Sequence, residues 1–243
     1  MEIWAAVEYN DSGCMAFARD YPGAFARGKE QTEALNKLAG DVAAYWRWLT
    51  GAAPALGPVR VAERWPSKVQ LADGDTEMLL EGEEAPLLES EYRHLQGVAL
   101  RSAGDFLRLY RAIPEPDREL MPLRQTFYGP VPRTAAEMLI HVAGVNAYYF
   151  SRIGVAAGDG LEMVQQRAAG FAALEGQGGY LDGGGRADGC GERWSLRKVL
   201  RRFIWHDRIH ARALYRRAAR LWGPEKIPNP YCFESFDPDR KGC

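Results

Sequence analysis

The sequence predicts an α+β protein: a small α/β sandwich over residues 1–85, a four-helix bundle over 86–225 and an extended tail over 226–243. Three observations predict it. Residues 1–85 hold short strand candidates grouped around one helical stretch, with turn residues between them. From about residue 88 the apolar spacing is purely helical, at intervals of three and four. Proline and glycine stops then cut that second half into four helical segments of bundle length.

In order, Ile3 to Glu8 reads as a strand, Asn10-Asp-Ser-Gly13 as a hairpin-type turn, and Cys14 to Arg19 as the returning strand. Tyr21-Pro-Gly-Ala24 breaks the pattern, and Ala24 to Arg27 forms a third short strand. Glu30 to Leu49 is helical, because Leu35, Leu38, Val42, Tyr45, Trp46 and Leu49 recur on one face. The Gly/Pro/Ala run 51–58 ends it, and Val59 to Glu63 with part of 68–80 supplies further strand.

The first helix of the second half spans 89–112, with Tyr92, Leu95, Ala99, Phe106 and Leu109 on one face and Pro114 as its stop. The next opens at Thr134-Ala-Ala-Glu137, a capping-box pattern, and runs to Ile153 before Gly154. A third covers 160–175. The stretch 176–191 is too glycine-dense for regular structure, and the last helix runs 195–222 to Gly223-Pro224. Pro228 and Pro230 favour an extended tail over the surface.

Composition narrows the function classes. The chain has 243 residues, is 47% hydrophobic and 26% charged, and carries a net charge of -1, so global electrostatics favour neither nucleic acid nor a membrane surface. In residues 1–60 the acids Glu2, Glu8, Asp11, Asp20, Glu30, Glu33 and Asp41 are interleaved with the bases, which argues further against nucleic acid. No apolar run approaches the roughly 18–20 residues of a transmembrane helix. The start lacks the basic and apolar regions of a signal peptide, and Cys14, Cys190, Cys232 and Cys243 form no CxxC; a cytoplasmic protein with reduced thiols is expected.

The chemistry-bearing residues are histidines. His206 and His210 lie four apart on the last helix, so their rings project the same way, about 6 Å apart along the axis. His206 is seven after Val199 and His210 seven after Phe203, which places both on the apolar stripe; His141 sits on the inward face of the second bundle helix. A lone core histidine is more often packed than ligating, and HxxxH occurs by chance on many helices. Three buried imidazoles without partners would nonetheless cost about 1–3 kcal/mol each, a cost that a shared divalent cation removes. With no carboxylate or thiolate in the set, Zn, Ni, Fe and Mn all suit it, Zn and Ni foremost. Asp207 is a candidate acceptor that would orient an imidazole, and Tyr148, Tyr149 and Trp205 are candidate pocket residues. His94 reads as a boundary residue, Cys190 as a solvent-facing thiol, and the arginines of the last helix as a solvated face.

Two resemblances add to this. Asp20-Tyr-Pro-Gly23, Gly28 and Glu33-Ala34 resemble the HicB family over the first 60–80 residues, which implies a small sheet with one helix; no DNA-binding segment follows it. A histidine in the second bundle helix with Trp205-His-Asp-Arg-Ile-His210 in the fourth resembles the DinB/YfiT family over about residues 88–222. That resemblance implies a four-helix bundle with a long crossover and a metal-binding triad, here His141, His206 and His210. It also implies a metal-dependent S-transferase or isomerase that acts with a small-molecule thiol on an electrophilic substrate, and hydrolysis by metal-bound water is an equally simple chemistry. The 176–191 loop is a candidate gate. The alternative is a HicB-like module on a non-catalytic bundle, binding a toxin, RNA or protein partner. A homodimer through free sheet edges is a further expectation.

Overall fold

The computed structural model describes residues 2–126, 129–158, 160 and 162–234. The N-terminal unit is built from β1 (Ile3–Asn10), β2 (Gly13–Ala18), β3 (Phe25–Gly28), α1 (Gln31–Thr50) and β4 (Val59–Pro66). The sheet order is β3-β2-β1-β4. The first three strands form an antiparallel meander, and α1 crosses over to place β4 parallel to β1. Side chains alternate across it. Ile3, Ala5, Val7, Ala16 and Ala18 join Leu38, Val42 and Tyr45 of α1 in the main core. Ala6, Met15, Phe17 and Phe25 line the opposite face under Leu71, Met78, Leu80 and Trp205.

Segment 67–84 covers that second face, and it is not strand as expected. It carries one 3-10 turn, Leu71–Asp73, and is otherwise irregular. Its backbone is satisfied by side chains instead of a neighbouring strand. Lys198 donates to the Glu77 carbonyl (2.8 Å), Arg201 to Met78 (2.9 Å) and Arg202 to Thr76 (2.9 Å), while Glu8 accepts from the Glu77 N–H (3.0 Å) and the Thr76 hydroxyl.

Helices α2 (Glu89–Arg111), α3 (Ala135–Arg152), α4 (Met163–Glu175) and α5 (Leu196–Trp222) make the second half. α5 packs on α2 and α3, and α4 packs on the same two helices. The capping box forms at α3: the Glu137 N–H donates to Thr134 Oγ1 (3.1 Å) and the Thr134 N–H to the Glu137 carboxylate (3.3 Å). Two small ladders escape sequence reading, β5 (Gln125–Thr126) with β6 (Gly129–Pro130) and β7 (Arg186–Ala187) with β8 (Arg193–Trp194). The glycine-rich stretch is pinned rather than free. Gly184 N–H donates to Glu84 O (2.7 Å), and a Cβ on Gly183, at φ 83, would lie 2.6 Å from the same carbonyl. Among the described residues no helix is long and apolar enough to cross a membrane.

The two halves meet along α5. The Asp20–Gly23 turn rests on it: Gly23 has φ 93, and a Cβ there would lie 2.5 Å from Ile204 Cγ2 and 3.0 Å from the Trp205 nitrogen. Buried Asp41 of α1 accepts from the Phe25 N–H (2.7 Å) and from Arg208 (3.0 Å), and pairs with Arg212. The tail corrects an expectation. Residues 226–234 turn into this seam instead of running extended over the surface, because Tyr231 packs on Trp48 (5.2 Å) and stacks on Phe233 (5.2 Å). Residues 235–243, Cys243 included, lie outside the described part.

The basic face of α5 is a second correction. Lys198, Arg201, Arg202 and Arg208 are buried, not solvated, since segment 67–84 and α1 lie over them with carbonyls and carboxylates. Burial pulls the Lys198 ammonium down to about 8, against the opposing pull of Glu192. Between pH 8 and about 10.4 the folded state therefore releases this proton while the unfolded chain keeps it, so stability rises with pH in that window. Urea denaturation at pH 8, 9 and 10 should show wild type gaining stability relative to Lys198→Met, at up to about 1.4 kcal/mol per pH unit. Parallel pH profiles would refute this.

Candidate metal centre

α3 presents His141, and the adjoining turn of α5 presents His206 and His210. The i, i+4 spacing stacks the two α5 rings at a centroid separation of 4.4 Å, and helix packing sets His141 5.0 Å from His206 and 4.5 Å from His210. His141 Nε2 lies 3.1 Å from His210 Nε2. One ligand atom from each ring falls within 4.8 Å of the others. Exposure is graded: His206 is buried, His210 half-buried and His141 exposed. His141 is thus not turned into the core as expected; it closes the cluster from the solvent side, so the centre is accessible.

The ring electrostatics suit metal binding. Burial lowers the basicity of all three imidazoles. For His206 the other two histidines, Arg202 and Arg167 add to it, and for His210 His141 and Arg27 do. Neutral imidazoles keep a lone pair for a cation at neutral pH. The donor set fits a borderline divalent ion. At metal–nitrogen distances of about 2.0–2.1 Å, two ligands lie at most roughly 4.2 Å apart, so the 3.1 Å pair is within span and the widest separation allowed closes with a shift of about half an ångström. His206 Nδ1 is buried without a hydrogen-bond partner among the described residues.

The remaining expected residues are placed differently. Asp207 does not reach an imidazole. It forms a fully buried bidentate pair with Arg167 of α4, at 2.6 and 3.0 Å, because its position points between the helices instead of toward the rings. Tyr148 does not line the site: it is 42% exposed, two turns along α3 from His141, with Arg152 4.2 Å over its ring. Tyr149 takes that role, edge-on to His206 at 6.1 Å. Trp205 is buried in the seam against Phe25 (5.8 Å) and is not the wall of an open pocket. His94 and Cys190 are exposed and stand outside the cluster. The 176–191 loop is pinned to residues 84–89 and to the end of α3 at Arg152 and Gly154, and α5 begins about 15 Å before His206.

Arg167 escaped sequence reading, whereas Tyr149 was, with Tyr148 and Trp205, a pocket candidate by its place on the helix. Asp207 itself held the signal for Arg167: it lies four and seven before the core residues Ala211 and Leu214, so it must be buried, and a buried carboxylate requires a cation.

Comparison with models of protein families found no match, and neither did comparison with curated proteins or with solved structures.

Proposed function

We propose that the chain is a metal-dependent enzyme of DinB-like type, a bundle whose divalent ion, Zn or Ni foremost and Fe or Mn otherwise, is held by His141, His206 and His210. One observation carries this reading: three imidazoles converge from two helices at an accessible point, two of their nitrogens 3.1 Å apart. A bound ion would supply Lewis acidity, lowering the pKa of a thiol or water placed against it. The chain's own part is positional. His206 and His210 are fixed by one helix turn, and His141 holds the third corner at the solvent side. Three protein ligands leave room for a reactant, as in catalytic rather than structural sites. The reaction that suits this best is transfer of a small-molecule thiol to an electrophile, in a cytoplasmic setting; hydrolysis is the same geometry with water as the nucleophile. The HicB-like unit then serves as a cover that docks Phe25 and segment 67–84 on α5.

The test is elemental analysis of protein purified without chelator or His tag. Wild type should carry one equivalent of metal and His206→Ala less than about a tenth of that. Undiminished metal in a folded variant refutes the assignment. A screen of thiols against alkylating electrophiles, with and without chelator, then separates transfer from hydrolysis.

A further inference from the structure

Beside the histidines lie two buried donors with nothing to donate to. Arg202 Nε and the Trp205 indole N–H have no hydrogen-bond partner among the described residues, and the two side chains are 7% and 3% exposed. An unmet buried donor costs about 1–3 kcal/mol, and more on a charged group. Both sit on the turn of α5 that leads into His206, and Arg202, four before it, shares its side of the helix. The Arg202 guanidinium lies 4.7 Å from the Trp205 ring and 5.6 Å from the Tyr149 ring, and each of those rings is 6.1 Å from His206. Arg202 is therefore enclosed by the two aromatic groups that flank the buried ligand. Tyr149, Glu192, Asp75 and Glu8 act on it electrostatically, and it hydrogen-bonds Tyr149 and donates from Nη1 to the Thr76 carbonyl. On the other side, exposed Arg27 of β3 acts on His210, and Arg124 acts on Arg27, with Asp73 facing both.

We infer that the centre takes a ligand bearing an oxyanion, a carboxylate or a phosphate, whose charged oxygen is received by Arg202 next to His206 and drawn in past Arg27. The orphaned groups are donors only, which selects an acceptor, and a divalent ion beside them favours a negative one. This deepens the metal-site reading and rests on it. It narrows the thiol or electrophile to molecules that carry an acidic group.

The two ideas fail separately in one experiment. Protein loaded with Co2+, whose visible absorption reports a change of ligand, is titrated with acetate and, separately, with inorganic phosphate. Wild type, Arg202→Met and Arg27→Met are compared. At least one anion should shift the wild-type spectrum, with affinity about tenfold or more weaker in Arg202→Met and about threefold weaker in Arg27→Met, while Co2+ uptake stays equal in all three. The tighter anion names the charged group. Equal anion affinity in the three proteins, or no response of wild type to either anion, overturns the inference. Failure of wild type to take up Co2+ overturns the histidine centre itself. Should Arg202→Met not fold, exposed Arg27 still decides the matter.

Discussion

Replacing Asp207 with alanine is expected to lower the free energy of unfolding by about 3–5 kcal/mol. The reason is what stays behind. Arg167 is fully buried, and its other bonds, to Asn146 (2.9 Å) and to the Ala99 carbonyl (2.9 Å), carry no charge. Its guanidinium also lies 4.4 Å over Phe203 and has no route to water. The pair joins α5 to α4, and through Arg167 to α3 and α2, so one carboxylate ties four helices together. Against a typical total of about 5–15 kcal/mol, the loss is a third or more. The double variant Arg167→Met/Asp207→Leu should recover most of it, because apolar residues of similar volume often replace a buried ion pair at little cost. Urea titrations give both numbers. A single-variant loss below about 1 kcal/mol would mean that water reaches Arg167, and that the pair is not sealed.

This pair marks where the sequence stopped being readable. Strands β1 to β3, α1 and the four later helices follow from periodicity and stop residues, and their ends fall within three residues of expectation, because each element buries a face whose spacing is written locally. The triad was legible for the same reason: His206 and His210 share a face by spacing alone, and one further helical histidine completed the set. Charge partners were not legible. Arg201 with Glu83, Arg208 with Asp41 and Arg167 with Asp207 join residues 40 to 167 apart, and nothing in a window of one helix distinguishes a buried arginine from a solvated one. Segment 67–84 was misread for a related reason. Its apolar residues cover a sheet face, but its backbone partners are side chains of a helix more than a hundred residues later.

Metal addition should stabilise the protein by an amount comparable to that ion pair. A ligand bound only by the native state adds RT ln(1 + [L]/Kd), about 4.1 kcal/mol at a thousandfold excess over Kd. For a chain of this size that corresponds to a rise of roughly 8–16 °C in the unfolding midpoint. The triad makes the linkage strict. His141 and the His206/His210 pair come from different helices that lie together only in the fold, so the unfolded chain offers no equivalent site. His141→Ala is the sharpest control. His141 is the exposed corner of the triad, and its loss leaves the core of α5 intact, whereas a change at buried His206 also removes packing. Thermal melts with Ni2+, with chelator, and with chelator followed by excess Ni2+ should show a reversible shift in wild type and almost none in His141→Ala. Ni2+ serves better than Zn2+ here, because thiolates exposed by unfolding, Cys14 and Cys232 among them, have more appetite for zinc and would blunt the difference. If the two proteins shift by the same amount, the stabilising ion sits elsewhere, and the convergence of the three rings is a feature of packing alone.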